Sequence, residues 1–186
     1  MFNSRSRVLT LCRVGVLAAM YVPLALYVAV RMGNIQISFG SLPVVTAALL
    51  LGPAEAALVA FIGEFFKQLL TYGITATTVL YLIPPALRGL IIGAAALKLR
   101  KTRGQRLEER RWRCYGVCIA AAVVTTAGNT LVNLVDSLLY HYYSFAYIFG
   151  DALIRFATGM LNAVIIATAA IPLVQLLRRH AVRQQA

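Results

Sequence analysis

Lys98-Leu-Arg-Lys-Thr-Arg-Gly-Gln-Arg-Leu-Glu-Glu-Arg-Arg-Trp-Arg113 is the strongly polar run that divides an otherwise apolar chain, and its reading decides the fold. It holds eight of the 18 Lys and Arg residues, whereas Ala76–Leu97 before it and Tyr115–Leu139 after it are long apolar stretches. A helix needs about 20 mostly apolar residues to cross a bilayer, so both flanks have the length of a membrane span. The composition agrees. Of 186 residues, 60% are hydrophobic and only 13% charged, yet the formal net charge is +12. Soluble domains carry roughly 25% charged residues; half that figure excludes a water-soluble globule, and the apolar excess excludes disorder. A nucleic-acid-binding protein would spread its cations over a wettable face, which these long uncharged stretches do not allow.

Further spans follow outward from the polar run. Val8–Val30 is the first, interrupted by Pro23, which a membrane helix tolerates when neighbours satisfy the freed carbonyl. It is too long, and lacks the small-residue cleavage site, for a signal peptide. Leu42–Leu51 stops at Gly52-Pro53 and is too short to cross unless Ile35–Ser41 belongs to it. Ala54–Thr71 is the third span, Ala76–Leu97 with Pro84-Pro85 the fourth, Tyr115–Leu139 the fifth and Ile148–Leu177 the sixth. The expected fold is an all-α membrane protein of six transmembrane helices forming one integral membrane domain over residues 1–186.

Orientation follows from where the cations fall. Arg5, Arg7 and Arg13 flank the N-terminus (residues 1–13), the eight cations of the polar run lie in the loop 98–113, and Arg178, Arg179 and Arg183 lie in the tail 178–186. Six spans put these three regions on one side, and the positive-inside rule makes that side the cytoplasm. Only Arg31 sits in a loop on the opposite side.

Six ionisable residues remain in or at the spans: Glu64, Lys67, Arg88, Asp136, Asp151 and Arg155, with charges that cancel. A charge at the bilayer centre costs roughly 2.5–3.5 kcal/mol on insertion scales and marks a functional site by default. Most of these residues lie near the outer turn at Tyr72 or the aromatic loop 140–149, so the polar cluster falls in the outer half. Asn129, Asn133 and Asp136 stand at i, i+4 and i+7 on one helix face. Asp151, Arg155 and Asn162 make a similar stripe on the sixth helix, and Glu64, Lys67 and Gln68 on the third. Three stripes can enclose one outward-opening pocket. Equally, Glu64–Lys67 and Asp151–Arg155 can neutralise each other and staple helices, with the asparagines as interhelical glue. Arg88 and Asp136 have no local partner and are the better ligand contacts.

Tyr140, Tyr142, Tyr143, Phe145, Tyr147 and Phe149 read either as an interfacial aromatic belt or as a lid stacking on a flat heteroaromatic ligand. His141 is a solvated loop residue, with no neighbours for a metal site. Cys12, Cys114 and Cys118 are an odd number without metal-ligand spacing and read as packing residues. Gly15 and Ala19, and Ala25 and Ala29, are small residues four apart, which allow close helix approach in lipid. No P-loop lysine motif, Gly-x-Ser-x-Gly elbow or His-Glu-x-x-His helix occurs, so no catalytic residues, metal or cofactor are expected in this chain.

The order of three motifs carries a resemblance. Ile35-Gln-Ile-Ser-Phe-Gly-Ser-Leu-Pro43, Leu51-Gly-Pro53 and Gly63-Glu-Phe-Phe-Lys-Gln-Leu-Leu70 resemble the substrate-binding S components of energy-coupling factor (ECF) vitamin transporters, most closely the folate and pantothenate branch. Arg88-Gly-Leu-Ile-Ile-Gly93, Asn129-Thr-Leu and Arg155 are similar to that branch's fourth, fifth and sixth helices. The resemblance implies a six-helix bundle in a bacterial or archaeal cell membrane, with both termini cytoplasmic. It implies that the chain binds a water-soluble vitamin from outside and docks on a transmembrane T protein carrying two cytoplasmic ATPases, which alone use ATP. Docking in that family uses an Ala-x-x-x-Ala motif early in the first helix; Gly15 and Ala19 occupy that place here.

The resulting expectation is a vitamin-binding subunit, folate ahead of pantothenate, and not an enzyme. Lys67, Arg88 and Arg155 would meet carboxylates or polar ring groups. Asn129, Asn133 and Asp136 would hydrogen-bond a ring or amide, Glu64 belongs to the same site, and the loop from Tyr140 to Tyr143 would cover it. The alternative is a small intramembrane enzyme or structural subunit whose polar cluster only holds helices together.

Overall fold

The computed structural model describes residues 4–32, 35–141, 143–145, 149–150 and 152–183, with side chains for 8–29, 38–141, 143–145, 149–150 and 152–180. Among these, six α-helices of ten residues or more account for most of the described residues: α1 (Ser4–Leu26), α2 (Ser41–Leu50), α3 (Pro53–Tyr72), α4 (Thr78–Arg103), α5 (Arg111–Leu139) and α6 (Ala152–Arg183). The central polar run is mostly not a loop. α4 continues through it to Arg103 and α5 begins at Arg111, leaving Gly104–Arg110, with a short 3-10 turn over Leu107–Glu109, as the connection. Gly104 ends α4 in the left-handed conformation at φ 63°, the usual helix-terminating role of glycine.

Four helices are long and apolar enough to cross a membrane: α1 (from Val8), α4, α5 and α6 (to His180). α3 has 20 residues but carries Glu55, Glu64 and Lys67. The second expected span requires correction. Ile35–Ser38 does not extend α2; it forms strand β2, antiparallel to β1 (Ala29–Met32), with Ala29 opposite Ser38 and Met32 opposite Ile35. The first span likewise stops at Leu26, because Ala29 and Val30 belong to the hairpin. α2 alone, at 1.5 Å per residue, is about 15 Å long, half of a hydrocarbon core. Hairpin and helix together replace one span, and the hairpin lies against α6 and α1. Non-helical backbone at membrane depth is tolerated where it is packed on protein, since its N–H and C=O groups then have partners.

α2 is the hub of the bundle. It touches α1, α3, α4 and α6, and Pro43–Leu49 are all buried, so its sequence, apolar there except for Thr46, fits its surroundings. The apolar core runs from α2 through Ala56, Val59 and Ala60 of α3, Ile92 of α4, Cys114, Cys118 and Ala121 of α5, and Ile166, Ala167, Ala170, Ile171 and Val174 of α6. Cys114 and Cys118 are thus the packing residues expected, while Cys12 is exposed. This core fills the end of the bundle nearer the basic residues. At its edge Arg178 donates to the Leu49 carbonyl at 2.6 Å and pairs with buried Glu108 at 2.9 Å, tying α6 to the end of α2.

Close helix contact explains two glycines of α4. A Cβ on Gly93 would lie 2.4 Å from Pro53 Cα, and one on Gly89 would lie 2.8 Å from the Ala56 carbonyl carbon. Gly89 and Gly93 stand four apart, so the two helix backbones meet along a small-residue groove.

Candidate functional site

Opposite the apolar core, the polar stripes of α3, α5 and α6 face a common chamber of about 720 Å³. Glu64, Lys67, Asn129, Asn133, Asp136 and Arg155 line it, in keeping with their helical spacing, and Tyr140 of the aromatic loop joins them. Arg88 does not; it lines a smaller adjoining space of about 230 Å³ towards α2, which shares Glu64, Lys67, Asn129 and Asn162 with the main chamber. Tyr72 and Tyr140, both more than half exposed, mark the open end. Tyr143 is 49% exposed and is not among the described lining residues. Asp151, Tyr142 and Tyr147 lie outside the described residues.

Glu64 is held by three side-chain donors. It is buried, and its Oε2 accepts from Tyr21 Oη at 2.6 Å while Oε1 accepts from Lys67 Nζ at 2.8 Å and Gln68 Nε2 at 3.0 Å. Gly63 makes this possible, because a Cβ there would lie 2.4 Å from the Tyr21 ring. The bare backbone lets the ring lie flat on α3, with its hydroxyl over the next residue. Three donors offset the desolvation of one carboxylate. The Glu64–Lys67 staple considered from sequence therefore forms, and it lies in the wall of the chamber rather than apart from it.

Deeper in, Arg88 Nε donates to Thr125 Oγ1 at 3.2 Å, and Nη1 donates to Ser41 Oγ. No carboxylate forms an ion pair with Arg88 among the described residues. Ser41 opens α2, so the hairpin-to-helix junction that replaces a full span is what brings a hydroxyl to this guanidinium. Asn162 of α6 donates from Nδ2 to the Ser38 carbonyl at 3.2 Å, while its buried Oδ1 has no partner among the described residues.

Towards the mouth, Thr77 Oγ1 donates to Asp136 Oδ1 at 2.5 Å and Tyr81 Oη donates to Asn133 Oδ1 at 2.8 Å. These bonds fix the α5 stripe to the start of α4. Gly159 faces Thr126, where a Cβ would come within 2.8 Å of Oγ1, so α5 and α6 approach closely beside the chamber.

Several lining groups were not marked by the sequence reading. Tyr21, Thr77, Tyr81 and Ser41 are single hydroxyl residues on apolar helices or at helix starts, with no charge or stripe to reveal them. Their partners are 43 to 59 residues away in the chain. Gln68 and Asn162 did stand in the polar stripes. On α1, Gly15 and Ala19 face outward; a Cβ on Gly15 would meet nothing within 4 Å. Among the described residues no cluster of His, Cys, Asp and Glu could hold a metal ion.

Comparison with known proteins agrees with this architecture. The solved structure of ThiT from Listeria monocytogenes superposes with a TM-score of 0.63 over 94% of this chain and 96% of that chain at 18% identity, a likeness of fold. No curated protein sequence matches. The family described as ECF-type riboflavin transporter, S component, matches residues 5–179. With nearly its whole length inside that match, the chain belongs to the ECF-type riboflavin transporter S component family, and is a substrate-binding transporter subunit rather than an enzyme.

Proposed function

We propose that this protein captures riboflavin, or a closely related flavin, from outside the cell and delivers it through an ECF-type importer. The observation that carries the reading is the charge balance of the main chamber. Its described lining holds Glu64 and Asp136 against Lys67 and Arg155, so the walls are polar but electrically even. Its size is within the 300–1,000 Å³ usual for small-molecule sites. An uncharged, flat ring system rich in carbonyl and ring-nitrogen acceptors suits such a space: Asn129, Asn133 and the Lys67 ammonium supply donors. Family membership supports the flavin assignment.

One observation favours the carboxylate-bearing vitamins, folate first and then pantothenate. Among the described residues Arg88 is held by hydroxyls alone, and a ligand carboxylate reaching the inner space would complete its partners. A competition experiment separates the two. If radiolabelled riboflavin bound to the purified protein is displaced by unlabelled riboflavin and not by folate or pantothenate, the flavin reading stands; displacement by folate at lower concentration reverses the order.

In the same reading the basic end, with Arg13, the α4–α5 connection and Arg178, faces the cytoplasm by the positive-inside rule, and the chamber opens outside. Delivery needs a transmembrane T protein with two ATPases that hydrolyse ATP. The outward face of α1 at Gly15 and Ala19 is the surface for that T protein, because its small residues allow a second helix to approach closely.

A further inference from the structure

We propose that the start of α5 is a binding site for the headgroups of anionic phospholipids. Trp112, the single tryptophan of the chain, is 89% exposed in the first turn of α5, at the level where the helix's apolar stretch begins. Arg110, Arg111 and Arg113 around it are all exposed, and none forms an ion pair among the described residues. The two acids of the segment are turned to structural use. Glu108 is buried against Arg178, and Glu109 accepts from the Arg106 backbone N–H at 3.3 Å. The surface left to the surroundings is therefore cationic, and exposed Lys98, Lys101 and Arg103 at the end of α4 extend it.

This combination is not needed for orientation alone, which Arg and Lys would set without an aromatic residue. An exposed indole beside guanidinium groups at the membrane–water boundary fits one partner. The ring settles at headgroup level, and the arginines fork onto phosphate oxygens. Basic residues near an anionic leaflet each favour the bound state by up to about fivefold. The cations are spread over two helix ends rather than gathered in a shaped groove, which favours a fluid lipid surface over a protein partner.

Trp112 reports on its own site. The full-length protein is placed in bilayers containing brominated zwitterionic or brominated anionic phospholipid, and quenching of its fluorescence gives the relative affinity. The expected result is about threefold or greater preference for the anionic lipid at low salt, falling towards parity at 1 M salt, where the Debye length is about 3 Å. Arg110→Gln, Arg111→Gln and Arg113→Gln together should remove the preference while leaving quenching by zwitterionic lipid. The salt series on the unaltered protein tests the claim without any variant. Equal quenching by both lipids at low salt would overturn it. So would absence of quenching by either lipid with Trp112 becoming shielded from aqueous iodide only on assembly with a T protein and ATPases, since the surface would then serve a protein.

Discussion

Tyr21 on α1 donates its hydroxyl proton to Glu64 on α3 at 2.6 Å, a buried bond between residues 43 positions apart. It joins the wall of the main chamber to the helix whose other face carries Gly15 and Ala19. Tyr21→Phe removes one of three donors from a buried carboxylate, which should cost about 1–3 kcal/mol. The expected result is a lower thermal midpoint in detergent. Glu64→Gln in the Tyr21→Phe background should recover part of the loss, because a neutral amide needs fewer donors.

Arg88→Ala should leave the fold intact and leave riboflavin affinity nearly unchanged, whereas a carboxylate-bearing vitamin reaching Arg88 would lose about tenfold or more, the value of one charge-assisted hydrogen bond. Ser41 and Thr125, its present partners, are hydroxyls that water can satisfy. Circular dichroism and a melting curve check folding, and a binding isotherm checks affinity. Unchanged affinity would show that the ligand stays in the outer chamber and does not reach Arg88.

The glycines separate packing from docking. Gly93→Ala pushes a Cβ into Pro53 and should destabilise by about 1–3 kcal/mol. Gly15→Ala meets open space and should fall within about 0.5 kcal/mol of the original. Gly15→Trp should also leave the isolated protein stable but prevent co-purification with a T protein. If that variant assembled normally, the docking surface would lie elsewhere.

Glu108→Ala strands Arg178 at the end of α2. The carboxylate is 3% exposed but the guanidinium is 26% exposed, so the cost should be about 2–3 kcal/mol, below the 3–5 of a fully buried pair. A double-mutant cycle with Arg178→Met should show strong coupling, because the second substitution removes the unpaired cation.

Much of this architecture could be read from residue order. Apolar stretches located α1, α3, α4, α5 and α6, and helical spacing put Asn129, Asn133 and Asp136 on the face that lines the chamber. Ala29–Ser38 was not legible, because Ala29 and Val30 continue an apolar helix in composition and Ile35–Ser38 alternates over too few residues to declare a strand. Its conformation is set by packing against α6, through bonds such as Asn162 to the Ser38 carbonyl. Tyr21 was illegible for a related reason: an aromatic residue in an apolar helix looks like core until its hydroxyl is seen to meet Glu64. Of the aromatic loop, Tyr140 lines the chamber and Tyr143 is not among the described lining residues.

The most direct test of the central claim is a titration of the purified, ligand-stripped protein with riboflavin, followed by quenching of flavin fluorescence. The account predicts saturable binding of one flavin per chain with a Kd below about 1 μM, equivalent to at least about 8 kcal/mol, weakened by substitution of Asn129 or Asn133. Absence of saturable binding of riboflavin, with folate or pantothenate bound tightly by the same preparation, would contradict it.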